Sequence, residues 1–206
     1  MATRRIREYL AGCKIPFISI THCCAYTAQE IAESARVPGR YMAKVVVVWL
    51  DDQMAIVVVP ATHVIDLIRL RRETGAEEAR LAQEAEFRDR FIDCQIGTMP
   101  PFGNLFGIET LVDRRLSTAR QFAFNAGTHR DVDVIDYADY ARLVRPRIVD
   151  VAVTPGDFDT VMRTSGRSTS STRDRSVRPF GADMPGNERA SQAQCGDSIA
   201  RRDGAG

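Results

Sequence analysis

The chain has 206 residues, of which 44% are hydrophobic and 27% are charged. This composition is typical of a globular protein with enough apolar material for one sizeable core. The formal net charge is only +1, so binding to nucleic acid would need local patches of charge. No run of about eighteen apolar residues occurs and no signal peptide is predicted, so we expect a protein with no membrane partner.

The elements of the first 154 residues predict a single α/β domain with a central mixed β-sheet flanked by helices. A short helix is expected at residues 4–11 and a strand at 15–20. Thr27 and Glu30 have the spacing of a capping box, which predicts a helix from residue 27 to about 35. The β-branched run at residues 42–50 and its return at 54–59 predict a central hairpin buried on both faces.

Further along the chain, the pattern predicts helices at residues 64–71 and 76–91. Strands are then expected at residues 108–112, 121–124 and 132–135, a helix capped by Asp136 at 136–143, and an edge strand at 148–153. Beyond Pro155 the composition changes to Ser, Thr, Arg and acidic residues with few aliphatic clusters. Residues 155–206 are therefore predicted to form a disordered tail.

The segment of residues 97–107 has a backbone that suits neither a helix interior nor a central strand. It contains the pair Pro100-Pro101, which fixes φ at two positions. It also contains three glycines, which permit backbone conformations that other residues rarely adopt. We therefore expect a rigid loop. With its apolar side chains it forms either the wall of a small pocket or a proline-stiffened connection that packs on the core.

Lys44 lies at the beginning of the otherwise apolar strand 42–50. A lysine in this position either extends its ammonium to solvent at the end of the strand, or presents a cation to a pocket. In the second case it would suit a phosphate, a carboxylate or a developing oxyanion.

The remaining polar candidates are weaker. Five scattered cysteines and three histidines predict reduced cytoplasmic thiols and no metal site. Cys94 is interpreted as a small buried residue, with a cysteine hydrolase as the alternative. His129 follows a turn and either faces solvent or orients a substrate hydroxyl. The familiar catalytic motifs are missing from the sequence, so an enzyme here would work by positioning and electrostatics.

Taken together, residues 27–143 resemble the YbaK/EbsC family of aminoacyl-tRNA editing domains, which are associated with prolyl-tRNA synthetase. The resemblance lies in five segments, namely 27–30, 42–47, 58–61, 97–103 and 124–127. It includes the lysine before a valine run and the pattern of glycine, three residues and proline from Gly97 to Pro101. The resemblance implies a YbaK-like fold without a cofactor.

The resemblance also implies a function, which is hydrolysis in trans of tRNA that carries a wrong small amino acid. Lys44 would be the essential lysine, and water or a substrate hydroxyl would be the nucleophile. The partners would be the 3′ acceptor end of mischarged tRNA and, in some cases, a synthetase. The residues that would bind the substrate are Gly97, Thr98, Met99, Pro100, Pro101, Phe102, Gly103, Asn125, Gly127 and His129. The alternative is a non-catalytic module that binds a nucleotide, an aminoacyl-adenylate or tRNA.

Overall fold

The computed structural model describes residues 2–22, 27, 30, 32–33 and 36–157. The strands are β1 (Phe17–Thr21), β2 (Met42–Leu50), β3 (Gln53–Pro60), β4 (Val64–Ile65), β5 (Ala79–Leu81), β6 (Glu109–Asp113), β7 (Gln121–Asn125), β8 (Asp131–Asp136), β9 (Arg147–Val149) and β10 (Ala152–Val153). The helices are α1 (Ala2–Gly12), α2 (Leu67–Thr74), α3 (Glu84–Phe87), α4 (Arg114–Ser117) and α5 (Tyr137–Val144), with 3₁₀ turns at Arg88–Arg90 and Gly103–Phe106.

Eight strands form one mixed sheet in the order β1-β8-β7-β2-β3-β6-β9, with β5 also paired to β2. The predicted hairpin is confirmed, because β2 and β3 pair antiparallel along their whole length. The other side of β2 has two partners. It meets β7 in parallel at Met42 and Ala43, and it meets β5 at residues 48–50. Within the described residues, residues 44–47 of β2 therefore have no strand beside them on that side.

Helices cover both faces of the sheet, which confirms the predicted α/β architecture. On one face, Ala43 and Phe124 pack with Phe102 and with residues of α1 and α5. On the other face, Leu70 of α2 packs on the aliphatic side chains of β2 and β3. Alternate residues of a strand point to opposite faces, so the side chain of Lys44 lies on the face opposite Ala43.

The loop at residues 97–107 is attached to the core through Tyr140 of α5. The Tyr140 hydroxyl is buried and donates a hydrogen bond to the carbonyl oxygen of Pro101 at 2.7 Å. The ring of Tyr140 packs edge-on against Phe102 and Phe122, with centroid distances of 5.5 and 4.9 Å. The loop is therefore held by both apolar packing and a buried hydrogen bond.

Two of the predicted helices differ from the structure. The first begins at Leu67 because the carboxylate of Asp66 accepts hydrogen bonds from the Ile68 and Arg69 amides and caps the helix, while Val64–Ile65 forms β4. The prediction of one helix at residues 76–91 was wrong. Ala79–Leu81 pairs with the end of β2 instead, and helical structure resumes only at Glu84. Pairing with an open strand edge outweighs the helix propensity of this segment.

The predicted edge strand at residues 148–153 is divided into two. β9 pairs with β6, while β10 pairs with β4 in a separate two-stranded sheet. The break between them is stabilised by the buried carboxylate of Asp113, which accepts hydrogen bonds from the amides of Val151 and Ala152 at 3.0 and 2.7 Å. These hydrogen bonds to a carboxylate replace the hydrogen bonds to a neighbouring strand that a continuous strand would make.

Several predictions concern residues that the structure covers in part or not at all. The capping box is confirmed, since the Thr27 amide donates to Glu30 Oε2 and the Glu30 amide donates to Thr27 Oγ1, but the helix it opens is described only in part. Asp136 is the residue before α5, yet its side chain makes no capping bond. The predicted disordered tail lies outside the described residues from 158 onward.

Among the residues described, no helix has the length and apolarity needed to cross a membrane.

The attachment of the loop can be tested with Tyr140→Phe. Removing the hydroxyl leaves the buried carbonyl of Pro101 without its donor, so we expect unfolding to become easier by about 1–2 kcal/mol. Urea denaturation would measure the change. Tyr9→Phe is the matched control, because the Tyr9 hydroxyl accepts a hydrogen bond from Asn104 in an exposed position. An equal effect of the two substitutions would contradict the proposed attachment.

Candidate active site

Lys44 is a half-buried cation in an apolar strand. Its side chain lies on the same face of β2 as Met42 and Val46, which pack in the apolar clusters of that face. Among the described residues none forms an ion pair or a hydrogen bond with its ammonium. Burial lowers the pKa of Lys44 below its ordinary value. A desolvated and unpaired ammonium is a costly group, and it is suited to bind a ligand oxygen.

Asn125 lies beside Lys44 at the end of β7. Phe124 is in register with Ala43 in the parallel pair of β7 and β2, and the next residues in each strand are Asn125 and Lys44. Both therefore point to the same face. The carboxamide oxygen of Asn125 is buried, and it has no hydrogen-bond partner within the described part of the chain. An ammonium donor and an amide group thus meet where β2 lacks a neighbouring strand.

The beginning of the predicted rigid loop lies next to this pair. The Gly127 amide donates to the carbonyl of Thr98 at 3.1 Å, and the Gln95 amide donates to the carbonyl of Gly127 at 3.0 Å. The His129 amide donates to the side-chain oxygen of Gln95 at 2.7 Å. These bonds join Gln95 and Thr98, which lie on either side of Gly97, to Gly127 and His129. Gly127 and His129 follow Asn125 by two and four residues.

Most of the loop's side chains are not available to a ligand. Gly97 is exposed and has a left-handed backbone with φ of 79°. The residues from Thr98 to Gly103 are buried. Phe102 packs on the face opposite Lys44, and a Cβ on Gly103 would collide with the Ile108 carbonyl and Thr110. Met99, Pro100, Pro101, Phe102 and Gly103 thus support the loop from behind, and Gly97 and Thr98 bring its backbone to the gap.

Cys94 is not poised as a nucleophile. Burial, aided by the negative charge of Asp93, raises the pKa of its thiol to about 11. The thiolate is the reactive form of cysteine, so the thiol is protonated near neutral pH. This argues against the cysteine-hydrolase alternative. Within the described residues, no group of three His, Cys, Asp or Glu side chains could hold a metal ion.

Comparison with known proteins places the chain in a family. Residues 22–143, more than half of the chain, match the model of the aminoacyl-tRNA editing domain. The chain belongs to the aminoacyl-tRNA editing domain family. The resemblance identified from the sequence is thereby confirmed, and the matched residues include Lys44, the loop at 97–107 and the turn after Asn125.

Individual relatives of this editing domain agree with the family match. The chain is 30% identical over 100 residues to the multifunctional Ser/Thr-tRNA deacylase ProXp-y of Escherichia coli K12, covering 48% of this chain and 59% of that protein. It is 28% identical over 101 residues to the proline–tRNA ligase of Thiobacillus denitrificans, covering 48% of this chain and 17% of the ligase. The chain thus spans less than two thirds of either relative.

A solved structure shows the same fold. It is the crystal structure of a protein described as a candidate trans-editing enzyme for prolyl tRNA synthetase. The two structures superimpose with a TM-score of 0.64 at 19% sequence identity, over 74% of this chain and 97% of the other. At this identity the likeness concerns the fold alone.

His63 is a residue of the site that the sequence did not reveal. It is half-buried and follows β3, whose Val59 is the partner of Lys44. Its ring accepts or donates a hydrogen bond to Thr62 at 2.9 Å. Desolvation and the charges of Arg115 and Lys44 lower the pKa of His63, against the opposing effect of Asp113. In the sequence, its position directly after the strand that pairs with the strand of Lys44 could have indicated that it lies near Lys44.

The desolvation of Lys44 predicts a stability effect that depends on pH. Because the pKa of Lys44 is lower in the folded chain, the unfolded chain binds more protons between the folded pKa and the ordinary value of about 10.4. The free energy of unfolding of the wild type should therefore rise with pH across this interval, relative to Lys44→Met. At pH 7 the Met variant should be at least as stable as the wild type.

Urea denaturation of both proteins between about pH 8 and 10.4 would measure this difference. Lys14→Met is the matched control, since Lys14 is exposed and its replacement should leave the pH dependence unchanged. A difference between wild type and Lys44→Met that is constant over this range would show that Lys44 is not desolvated.

Proposed function

We propose that this chain is a trans-editing aminoacyl-tRNA deacylase, which hydrolyses the ester between a wrong small amino acid and the 3′-terminal adenosine of tRNA. The observation that carries the proposal is the placement of Lys44 and Asn125 side by side at the gap beside β2. Within the described residues, neither the Lys44 ammonium nor the Asn125 carboxamide oxygen has a partner. Membership of the editing-domain family supports the same activity. A buried polar group that lacks a partner costs about 1–3 kcal/mol, and a bound ligand would offset this cost.

The two groups suit the two ends of an aminoacyl ester. The Lys44 ammonium can donate to the carbonyl oxygen of the ester and stabilise the negative charge that develops there. The carboxamide oxygen of Asn125 can accept a hydrogen bond from the α-ammonium of the amino acid. Together they fix the carbonyl carbon between them, so that attack comes from a defined direction.

The nucleophile is water, positioned by a hydroxyl of the terminal ribose. Water adds to the carbonyl carbon, and the bond between that carbon and the ribose oxygen then breaks. The proton from water passes to the ribose oxygen as it leaves, so the products are the free amino acid and tRNA with an intact 3′ end. This route needs no protein nucleophile, in agreement with the protonated thiol of Cys94.

The selection of a small amino acid is assigned to the loop. One methylene is worth only about 1–3 kcal/mol in a binding pocket, which is why a separate hydrolytic site improves fidelity. Gly97 and Thr98 bring rigid backbone to the gap, and the buried packing of Phe102 holds this backbone still. A larger side chain would have to displace a loop that is anchored in the core. The partner is the acceptor end of mischarged tRNA in the cytoplasm, with or without a synthetase.

The activity can be tested with tRNAs mischarged with Ala, Ser, Cys or Thr. The wild type should release amino acid from at least one of them, and Lys44→Ala should lower kcat/KM by roughly 100-fold or more. Lys44→Arg should also lose most activity, because a planar guanidinium does not replace a compact ammonium. Lys14→Ala is the matched control, since Lys14 and Lys44 are the chain's two lysines.

Three outcomes would revise this proposal. Unchanged turnover in Lys44→Ala would remove Lys44 from the catalytic site. Absence of release by the wild type with every tRNA would contradict the deacylase activity. Binding of a charged tRNA without release would favour a non-catalytic module.

A separate substitution tests the exclusion of the cysteine mechanism. Cys94→Ser should retain activity within about twofold, because a thiol with a pKa of about 11 supplies almost no thiolate at neutral pH. The same deacylation assay measures it. A loss of 100-fold or more in a variant with unchanged thermal stability would make Cys94 the nucleophile.

A further inference from the structure

A cleft of about 690 Å³ opens beside the candidate active site. It lies where β2 and β7 begin and β3 ends, and its lining includes Arg40, Arg115 and Arg120 together with His63. The three arginines come from three separate segments, which are the turn before β2, the helix α4 and the connection from α4 to β7. Among the described residues, no Asp or Glu lines this cleft. The cleft is thus cationic in a chain whose net charge is only +1.

Two of these arginines have their guanidinium groups available. Within the described part of the chain, neither Arg40 nor Arg120 forms an ion pair. Arg40 is positioned by stacking on the ring of Tyr41, with 4.7 Å between its guanidinium carbon and the ring centroid. Both side chains belong to exposed residues. Arginine presents several donors in a plane and is suited to bidentate binding of phosphate.

The third arginine, Arg115, is held in place by carboxylates outside the cleft. Its Nη1 lies 3.3 Å from Asp113 Oδ1 and 3.1 Å from Asp150 Oδ1. These contacts compensate part of its charge and fix its direction. Arg115 therefore contributes a positioned cation to the cleft that Arg40 and Arg120 also line.

The cleft lies close to Lys44 along β2. Pro60 and Ala123 belong to its lining. They pair with Ala43 and Met42, the two residues that precede Lys44 in β2. His63 lies at the same junction, since it lines the cleft and its titration responds to the charge of Lys44. A ligand with its ester at Lys44 would extend its next groups into this cleft.

We propose that this cleft binds the phosphodiester backbone of the single-stranded 3′ end of the tRNA. The proposal rests on the function proposed above, because it assigns the part of the same substrate that follows the terminal adenosine. Arg40 and Arg120 each contact a phosphate, and Arg115 adds a third cation to the lining of the cleft. The phosphate backbone therefore binds in the cleft, whereas the ester is hydrolysed at Lys44.

The first experiment measures binding of uncharged tRNA, which requires no catalysis. Wild type, the double variant Arg40→Ala/Arg120→Ala and the control Arg71→Ala/Arg72→Ala are compared by fluorescence anisotropy at several salt concentrations. The control removes the same charge from exposed residues of α2, outside the cleft. The cleft variant should bind at least about tenfold more weakly, and its slope of log K against log salt should fall by about 1.4, since each lost single-strand phosphate contact contributes about 0.7.

The second experiment measures hydrolysis of two substrates, mischarged tRNA and a 3′-aminoacyl-adenosine that has no phosphate. The cleft variant should lose at least about tenfold in kcat/KM on the tRNA and less than twofold on the adenosine ester. Thermal unfolding checks that all variants fold.

The outcomes separate this proposal from the proposed function. Equal losses on both substrates would mean that the arginines support the pocket, and they would overturn the cleft proposal. Binding and salt slope that match the wild type would overturn it as well. If the wild type hydrolyses neither substrate, the deacylase function fails, while the binding experiment still decides whether the cleft holds RNA.

Discussion

The position of the site depends on the way β2 changes partners along one of its edges. β2 pairs with β3 over its whole length, but on the other side it leaves β7 after Ala43 and meets β5 only at Val48. Backbone groups of a buried strand need partners, and the gap is approached by the turn after β7 and by the loop that bonds to it. Regular structure on both sides holds this gap rigid. A polar site can therefore exist inside an apolar sheet without disturbing its neighbours.

A polar site inside an apolar sheet has an energetic cost, which here is the desolvation of the Lys44 ammonium. Of the 28 basic side chains in this arginine-rich chain, two are lysines, and one of these, Lys44, is half-buried and desolvated. A guanidinium could not easily be buried there without several acceptors, because it carries five donors. An ammonium is compact, and its pKa can fall on burial. The choice of lysine is thus explained by space and solvation, and the absence of a counter-ion among the described residues supports the proposal that the charge is directed at a ligand.

The sequence predicted the parts of the fold that depend on local patterns. The valine-rich hairpin, the capping box at Thr27 and the rigid loop were accessible because each has a characteristic composition. The segment at Ala79–Leu81 was mistaken for helix, since its pairing with the distant end of β2 leaves no local trace. In the site, Lys44 and Asn125 could be singled out, whereas Arg40, Arg115 and Arg120 could not. Arginines are frequent in this chain, and only the fold brings these three together.

The weak net charge makes the location of these arginines decisive. With a formal charge of +1, the protein as a whole provides little long-range attraction for RNA. Affinity for a polyanion must then come from places where cations lack acidic partners, and Arg40 and Arg120 in the cleft beside Lys44 meet that condition among the described residues. In the proposed complex, a phosphate backbone held there would continue past His63 towards Lys44. Local charge would then select the end of the substrate that reaches the site, and the loop at Gly97 would limit the size of the amino acid.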